Sequence, residues 1–385
     1  MREFIIRTLG LKEVDWRLVD HLRRRRLWRK LINYVIATAQ YTRRDVVLFA
    51  YPYQLSMDIS TVCTLRCPLC SVGALNHQRP MKLMDLESFK RILDELGPYL
   101  LRIDLYIHGE PLMNKHVYDM IAYCKRYDVY VNIDSNMQLL DEASAVRMVE
   151  SGLDHIHASI DGVTQENYEK YRVKGDLELA MRNLGFLVQA KRRLKKAEPV
   201  IIWKFIVFRH NEQEVERAKE LAETVGVDGI FFSAACVGNL FSEIEKWAPR
   251  GPQYRMYNEE ADAVERSVGL YELLPVCNLP WVSINMDPDG NIQTCCIPTE
   301  PKNDHGRFRR GFFGLVWNGA RYRQSRRHLG RQRPQKRAGE SVNLCESCVE
   351  GSSHSVLDPA SWYCDSEDRL KAASSGPTNG TPGIG

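Results

Sequence analysis

The sequence predicts an α/β chain whose main domain is a parallel (β/α)6 barrel left open along one side, and three observations carry that prediction. From residue 54 onward, short apolar runs alternate with helical patterns. Six such βα units occur in a row, and parallel strands joined by right-handed crossovers curl into a barrel. Beyond about residue 241 the alternation stops and cysteines gather instead.

Taken in order, residues 1–52 read as a basic amphipathic helical segment. Leu22, Leu27, Trp28, Leu31, Ile32, Tyr34 and Val35 form an apolar stripe beside the arginine run at 23–26. This stripe is expected to dock on the barrel and cover an open edge. The barrel domain is placed at 53–240, with strands at 55–60, 101–107, 129–135, 155–160, 200–208 and 229–232. Helices are expected at 85–96, 116–126, 141–150, 177–194 and 212–224. A linker helix and a cysteine-bearing domain follow over 241–372. Residues 373–385, rich in Ser, Gly, Pro and Thr, read as a disordered tail.

Composition narrows the function. The chain has 385 residues and 11 cysteines. With no secretory pattern at its start, this cysteine usage fits a reducing, cytoplasmic setting in which clustered thiols hold metal or do chemistry. No apolar run is long enough to span a bilayer; the best, 200–208, is short and contains Lys204. The net charge of +4 is unevenly spread, with 12 Lys/Arg against 5 Asp/Glu in 1–52 and 12 against 1 in 301–337. These basic segments read first as a solvated face or a basic rim near an anionic cofactor, and second as recruitment of an anionic substrate, such as a sugar phosphate, a nucleotide sugar or an acidic leader peptide. Nucleic acid is not expected, because aromatics and arginines do not interleave in any RNA-binding signature.

The most informative feature is Cys63-Thr-Leu-Arg-Cys67-Pro-Leu-Cys70, a C-x3-C-x2-C run directly after the first strand. Barrel active sites sit at the C-terminal ends of strands, so the thiols lie at the functional edge. A cubane iron–sulfur cluster normally takes four thiolates, and a crowded group of three leaves one iron open. Zinc is disfavoured, since no partner pair or His accompanies the three.

This run resembles the radical S-adenosylmethionine (radical SAM) superfamily. The resemblance implies a partial, TIM-like barrel and a [4Fe–4S] cluster on Cys63, Cys67 and Cys70 whose open iron chelates S-adenosylmethionine. It also implies a 5′-deoxyadenosyl radical that abstracts a substrate hydrogen, and an external reductant such as flavodoxin or ferredoxin. Gly109-Glu110-Pro111 resembles the family motif that accepts hydrogen bonds from the cofactor's ammonium, which has donors only. Ser135-Asn136 and Ser159-Ile160-Asp161 resemble positions that contact its ribose or carboxylate. Arg172 resembles the arginine that pairs with that carboxylate, and Asn211 is a further candidate ribose contact. Leu69 departs from the aromatic residue usual before the third cysteine.

Cys277, Gly290 and Cys295 form a C-x12-G-x4-C pattern with Asp287-Pro-Asp-Gly290 as a turn between strands, and Cys345 and Cys348 follow. The set resembles the SPASM extension or its shortened form, twitch, with Leu315-Val-Trp-Asn-Gly319 as the linker helix start. It implies one auxiliary [4Fe–4S] cluster on Cys277, Cys295, Cys345 and Cys348, a zinc ribbon being the alternative. Cys296 and Cys364 are unassigned.

A redox cluster near a substrate radical favours two-electron oxidation. The expected reaction is dehydrogenation of a small molecule such as a sugar or aminocyclitol, because 52 residues ahead of the barrel are too few and too helical for a leader-binding domain. Peptide crosslinking or maturation is the alternative. Epimerisation, with Cys236 returning a hydrogen atom, and dehydration or decarboxylation are also open, while a non-catalytic iron–sulfur carrier is disfavoured by the cofactor-contact set. Candidate bases are His108, Lys204, Arg172 and His210.

Overall fold

The computed structural model describes residues 14–234, 244–251, 254, 277–295, 300–330 and 345. Helices α1 (Trp16–Arg24) and α2 (Trp28–Thr42) precede the sheet. The barrel then runs β1 (Gln54–Met57), α3 (Leu86–Leu96), β2 (Arg102–Asp104), α4 (Val117–Lys125), β3 (Tyr130–Ser135), α5 (Glu142–Glu150), β4 (His155–Ser159), α6 (Gln165–Tyr171), α7 (Leu177–Arg193), β5 (Val200–Val207), α8 (Val215–Val225) and β6 (Gly229–Ala234). All five helices expected between strands are present, and α6 is an addition. Only seven residues long, it starts where Thr164 caps the backbone N–H of Asn167.

Local chemistry sets these elements. Asp85, Asp141 and Asp176 each cap a helix by accepting a backbone N–H three residues on. Lys191, Arg192 and Arg193 sit in the last turn of α7, where the carbonyl end of the helix favours cations. Gly226 ends α8 with φ +79°, a left-handed cap that a side chain would strain.

Strands β1 to β6 are parallel neighbours in sequence order. The sheet does not stop at β1. Beyond the barrel, β7 (Ser283–Met286) pairs parallel with β1, and β8 (Asn291–Gln293) and β9 (Gly306–Arg307) add antiparallel strands, making nine in all. The cysteine-bearing region therefore continues the barrel's own sheet. Helices α9 (Phe313–Trp317) and α10 (Ala320–Leu329) pack over it.

One face of the strands carries Leu55, Ile103, Val131, Ile133, Ile156, Trp203 and Phe205, all fully buried in one core with helix residues such as Phe89, Leu93 and Leu184. The opposite face alternates in polar residues, Asp104, Asn132, Asp134, His157, Ser159 and Lys204, and forms the lumen.

The N-terminal helices dock as expected, through Leu18, Leu22 and Tyr34. Lys30 is buried and donates to the carbonyls of Leu100 (2.5 Å) and Asp128 (3.0 Å). Burial pushes its amine down to about 7. Two of the seven stripe residues face out, however: Trp28 is 52% and Ile32 58% exposed, because the docked side of α2 runs through Lys30, Asn33, Tyr34 and Ala37. No helix among the described residues is long and apolar enough to cross a membrane.

Candidate active site

The loop after β1 gathers the first three thiols. Cys67 is buried and Cys63 and Cys70 half-buried, and no disulfide joins them. The loop closes on itself at Gly73, where a Cβ would lie 2.5 Å from both the N and O of Cys67. Three donors reach the sulfurs: the Leu65 backbone N–H (3.4 Å) and Asn136 Nδ2 (3.6 Å) to Cys63, and Arg172 Nη1 (3.9 Å) to Cys67. The Cys70 thiol donates to the His108 carbonyl. Burial pushes the Cys63 thiol up and the Cys67 thiol to about 11, and each feels the charge of the other thiols. Soft thiols packed together, with N–H donors aimed at two of the sulfurs, fit an iron–sulfur cluster held from one side.

The cofactor-contact residues surround this loop. Gly109 presses on Ser60, whose carbonyl O would lie 2.0 Å from an added Cβ, so only glycine lets the second strand's loop approach the cysteine loop. Glu110 is buried and accepts from the backbone N–H groups of Leu112 (3.1 Å) and Asn136 (2.8 Å). Burial raises its carboxyl to about 7, with those two bonds opposing. Pro111 starts a single 3-10 turn that Glu110 caps. Ser135 accepts from the Met137 N–H, and Asn136 also reaches Thr64. Ser159 ends β4 opposite Lys204.

Two expected contacts are engaged inside the protein. Asp161 is wholly buried; one oxygen accepts from Arg172 Nε (2.6 Å), the other from the Ile206 N–H (2.7 Å). It orients Arg172 toward Cys67. Asn211 is also wholly buried, and its amide hydrogens go to the carbonyls of Asp161 and Ile206. Cys236, with Cys296, Cys348 and Cys364, lies outside the described residues.

The lumen holds a network that the motifs do not announce. Asp134 accepts from His157 Nδ1 (2.6 Å) and Lys204 Nζ (2.7 Å). Burial opposes its ionisation, but its two hydrogen-bonding partners outweigh burial and hold it well below the usual carboxylate range. Asn132 bridges Tyr106 and Asp104, and Arg102 grips Asp104 through two nitrogens. The signal was present in the sequence: strands of a parallel sheet are usually apolar on both faces, whereas Asn132/Asp134 and His155/His157/Ser159 alternate. Among the base candidates, His108 Nδ1 is held by Asp58 (3.1 Å), which also accepts the N–H groups of Ile107 and His108. His210 stacks on Phe208.

The second cysteine region is built differently. Gly290 turns the β7–β8 hairpin with φ +80°, and Asp287 accepts the N–H groups of Asp289 and Asn291 within it. Cys295 is buried just beyond β8, and Cys277 and Cys345 are partly buried against the core. The Tyr322 phenol on α10 is buried and pushed up by that burial, and its hydroxyl donates to the Gln293 carbonyl (3.1 Å), two residues before Cys295. Arg326, stacked on Trp317 and Tyr322, donates to the Pro280 carbonyl. Cys277, Cys295 and Cys345 offer thiols, the kind of ligand an iron–sulfur cluster takes. Arg79, from the first cysteine loop, bridges to this hairpin through Asp287 (2.9 Å) and Asp304 (2.5 Å).

Comparison with known proteins agrees with both sites. The model of the radical SAM superfamily matches residues 57–222, and that of the SPASM iron–sulfur cluster-binding domain matches 277–349. The chain is 30% identical over 175 residues to a PqqA peptide cyclase of Granulibacter bethesdensis, a match spanning 46% of this chain and 45% of that protein, so it covers just under half of that relative's length. A PqqA peptide cyclase of Rhizobium meliloti aligns at 23% identity over 87% of this chain and 93% of its own. Among solved structures, Streptococcus suis SuiB bound to S-adenosylmethionine has the same fold, with TM-score 0.55 at 12% identity, covering 77% of this chain and 72% of that one. The chain carries a domain of the radical SAM superfamily over residues 57–222, a domain that binds a [4Fe–4S] cluster with S-adenosylmethionine, and a SPASM iron–sulfur cluster-binding domain over residues 277–349.

Proposed function

We propose that this chain is a radical SAM enzyme that modifies a peptide, by hydrogen abstraction followed by crosslinking or a related two-electron oxidation. The observation that carries the reading is the alignment with a PqqA peptide cyclase through both domains, over 87% of this chain. It favours the peptide alternative over the sugar or aminocyclitol expected from the sequence. When bound, the cluster and S-adenosylmethionine supply a radical that removes a substrate hydrogen atom.

The chain's own residues divide the remaining work. Cys63, Cys67 and Cys70 hold the first cluster, with Asn136 and Arg172 steadying two sulfurs. The Gly109-Glu110-Pro111 turn, Ser135, Ser159 and Arg172 position S-adenosylmethionine, while Asp161 and Asn211 brace the strand ends that carry them. Cys277, Cys295, Cys345 and Cys348 hold one auxiliary cluster. The polar lumen receives the substrate, and the basic stretches near 23–26 and 307–310 attract an acidic partner.

Anaerobic reconstitution tests this reading. Two cubanes require about eight irons and eight sulfides per chain. With dithionite and S-adenosylmethionine, a short peptide encoded beside the gene should lose two hydrogens by mass as 5′-deoxyadenosine forms. Unchanged peptide alongside dehydrogenation of an aminocyclitol would reverse the choice of substrate.

A further inference from the structure

Radical chemistry that ends in oxidation must also dispose of a proton, which calls for a base. The lumen offers one. Asp134 on β3 and His157 on β4 are directly opposed partners in the parallel ladder, on the face turned away from the helices. Their side chains meet at 2.6 Å through Nδ1. An ionised carboxylate can only accept, so Nδ1 carries the hydrogen and Nε2 keeps its lone pair. Lys204 on β5 takes the other Asp134 oxygen at 2.7 Å, leaving His157 Nε2 outside that ion pair. The His157 side chain is 14% exposed, so it is held firmly without being sealed.

We propose that His157 is the base that accepts the substrate proton, with Asp134 as its orienting partner and Lys204 as the group that balances Asp134. In this step an O–H or N–H bond of the substrate breaks and an Nε2–H bond forms. The imidazolium charge is held against Asp134, and no electron changes hands. Two other candidates cannot accept a proton: Arg172 has no lone pair and is clamped by Asp161, and the Lys204 ammonium donates to Asp134. His108, whose Nδ1 is held by Asp58 in the same way, belongs to the first cysteine site through its carbonyl contact with Cys70, and His210 stacks on Phe208 in the loop after β5, so neither lies on the lumen face of the strands. The assignment rests on the oxidative reading of the function, but its first test does not need the substrate.

Diethyl pyrocarbonate acylates neutral imidazole, and peptide mapping reads each histidine separately. On the reconstituted holoenzyme, modification of His157 should follow a single titration with pH. The groups around it are Asp134, the Lys204 and Tyr106 side chains that contact Asp134, and the neighbouring ring of His155, 4.4 Å away. Removing the negative charge in Asp134→Asn should move the midpoint about one unit or more to lower pH, and removing the positive charge in Lys204→Met should move it upward. A His157 that stays unmodified at every pH, or a midpoint that is the same in both variants, overturns the proposal. With the peptide substrate in hand, His157→Gln should lower product formed per 5′-deoxyadenosine released about a hundredfold. An unchanged ratio overturns the assignment of the base while leaving the peptide reading intact.

Discussion

The two cysteine regions lie on one continuous sheet yet are built for different tasks. Around Cys63, Cys67 and Cys70 the neighbours are strand ends and polar side chains: Asn136, Glu110, Ser135 and Arg172. Near Cys295, Tyr322 donates to the Gln293 carbonyl and packs with Trp317 and Arg326. The first environment offers donors and acceptors to a ligand beyond the cluster. The second is a packed aromatic and cationic core. The same residue type is thus put to two uses by what surrounds it.

The sharpest way to break the comparison is to remove each site separately. Cys67→Ala should abolish 5′-deoxyadenosine formation, a loss of at least about a thousandfold, and lower bound iron by about half. Cys295→Ala should lose a similar share of iron yet still cleave S-adenosylmethionine; iron analysis and chromatography of the nucleoside check both. If the two variants behave alike, the division of labour is wrong.

A smaller effect tests the bridge between the regions. Arg79 is buried between Asp287 and Asp304, and Arg79→Met leaves the buried Asp287 and the partly buried Asp304 without their cation. The expected cost is about 3–5 kcal/mol, read as a lower midpoint in denaturant. Loss should be seen first in the β7–β9 region by hydrogen exchange.

Arg172→Lys sharpens the account of the first site. Lysine cannot serve Asp161 and the Cys67 sulfur with one planar fork, so affinity for S-adenosylmethionine should fall about 10–100-fold. The midpoint potential of the first cluster should move to more negative values, because a sulfur that loses a donor holds added charge less well. Redox titration followed by electron paramagnetic resonance measures it, and the auxiliary cluster's potential should stay put.

Lys30 lies far from both cysteine sites in function and serves as the control. Its amine titrates at about 7 in the folded chain against 10.5 ordinarily. Between those values the unfolded chain binds more protons, so stability rises with pH across that window, by about 5 kcal/mol in full. In Lys30→Met this rise should vanish while iron content and S-adenosylmethionine cleavage stay unchanged.

Much of this was legible in the sequence where chemistry is local. The C-x3-C-x2-C run, the Gly109-Glu110-Pro111 turn and the strand at Val200–Val207 are each written in a few adjacent residues. Contacts set by register were not. Nothing near Asp134 in sequence points to His157 or Lys204, which meet it only because β3, β4 and β5 align. Arg79 likewise finds Asp287 and Asp304 more than two hundred residues away. The pairing of β7 with β1 was also hidden, since a parallel partner carries no turn signal. Asp161 and Asn211 sit where a motif suggests ligand contact, but a motif cannot reveal that their hydrogen bonds are engaged within the protein.

The central claim is that the cluster on Cys63, Cys67 and Cys70 presents one open iron to S-adenosylmethionine. Electron paramagnetic resonance of the reduced protein, recorded before and after S-adenosylmethionine is added, tests it directly. The account predicts that one of two [4Fe–4S] signals changes on addition, that the change is absent in Cys67→Ala, and that it persists in Cys295→Ala. A wild-type spectrum unaltered by S-adenosylmethionine would contradict it.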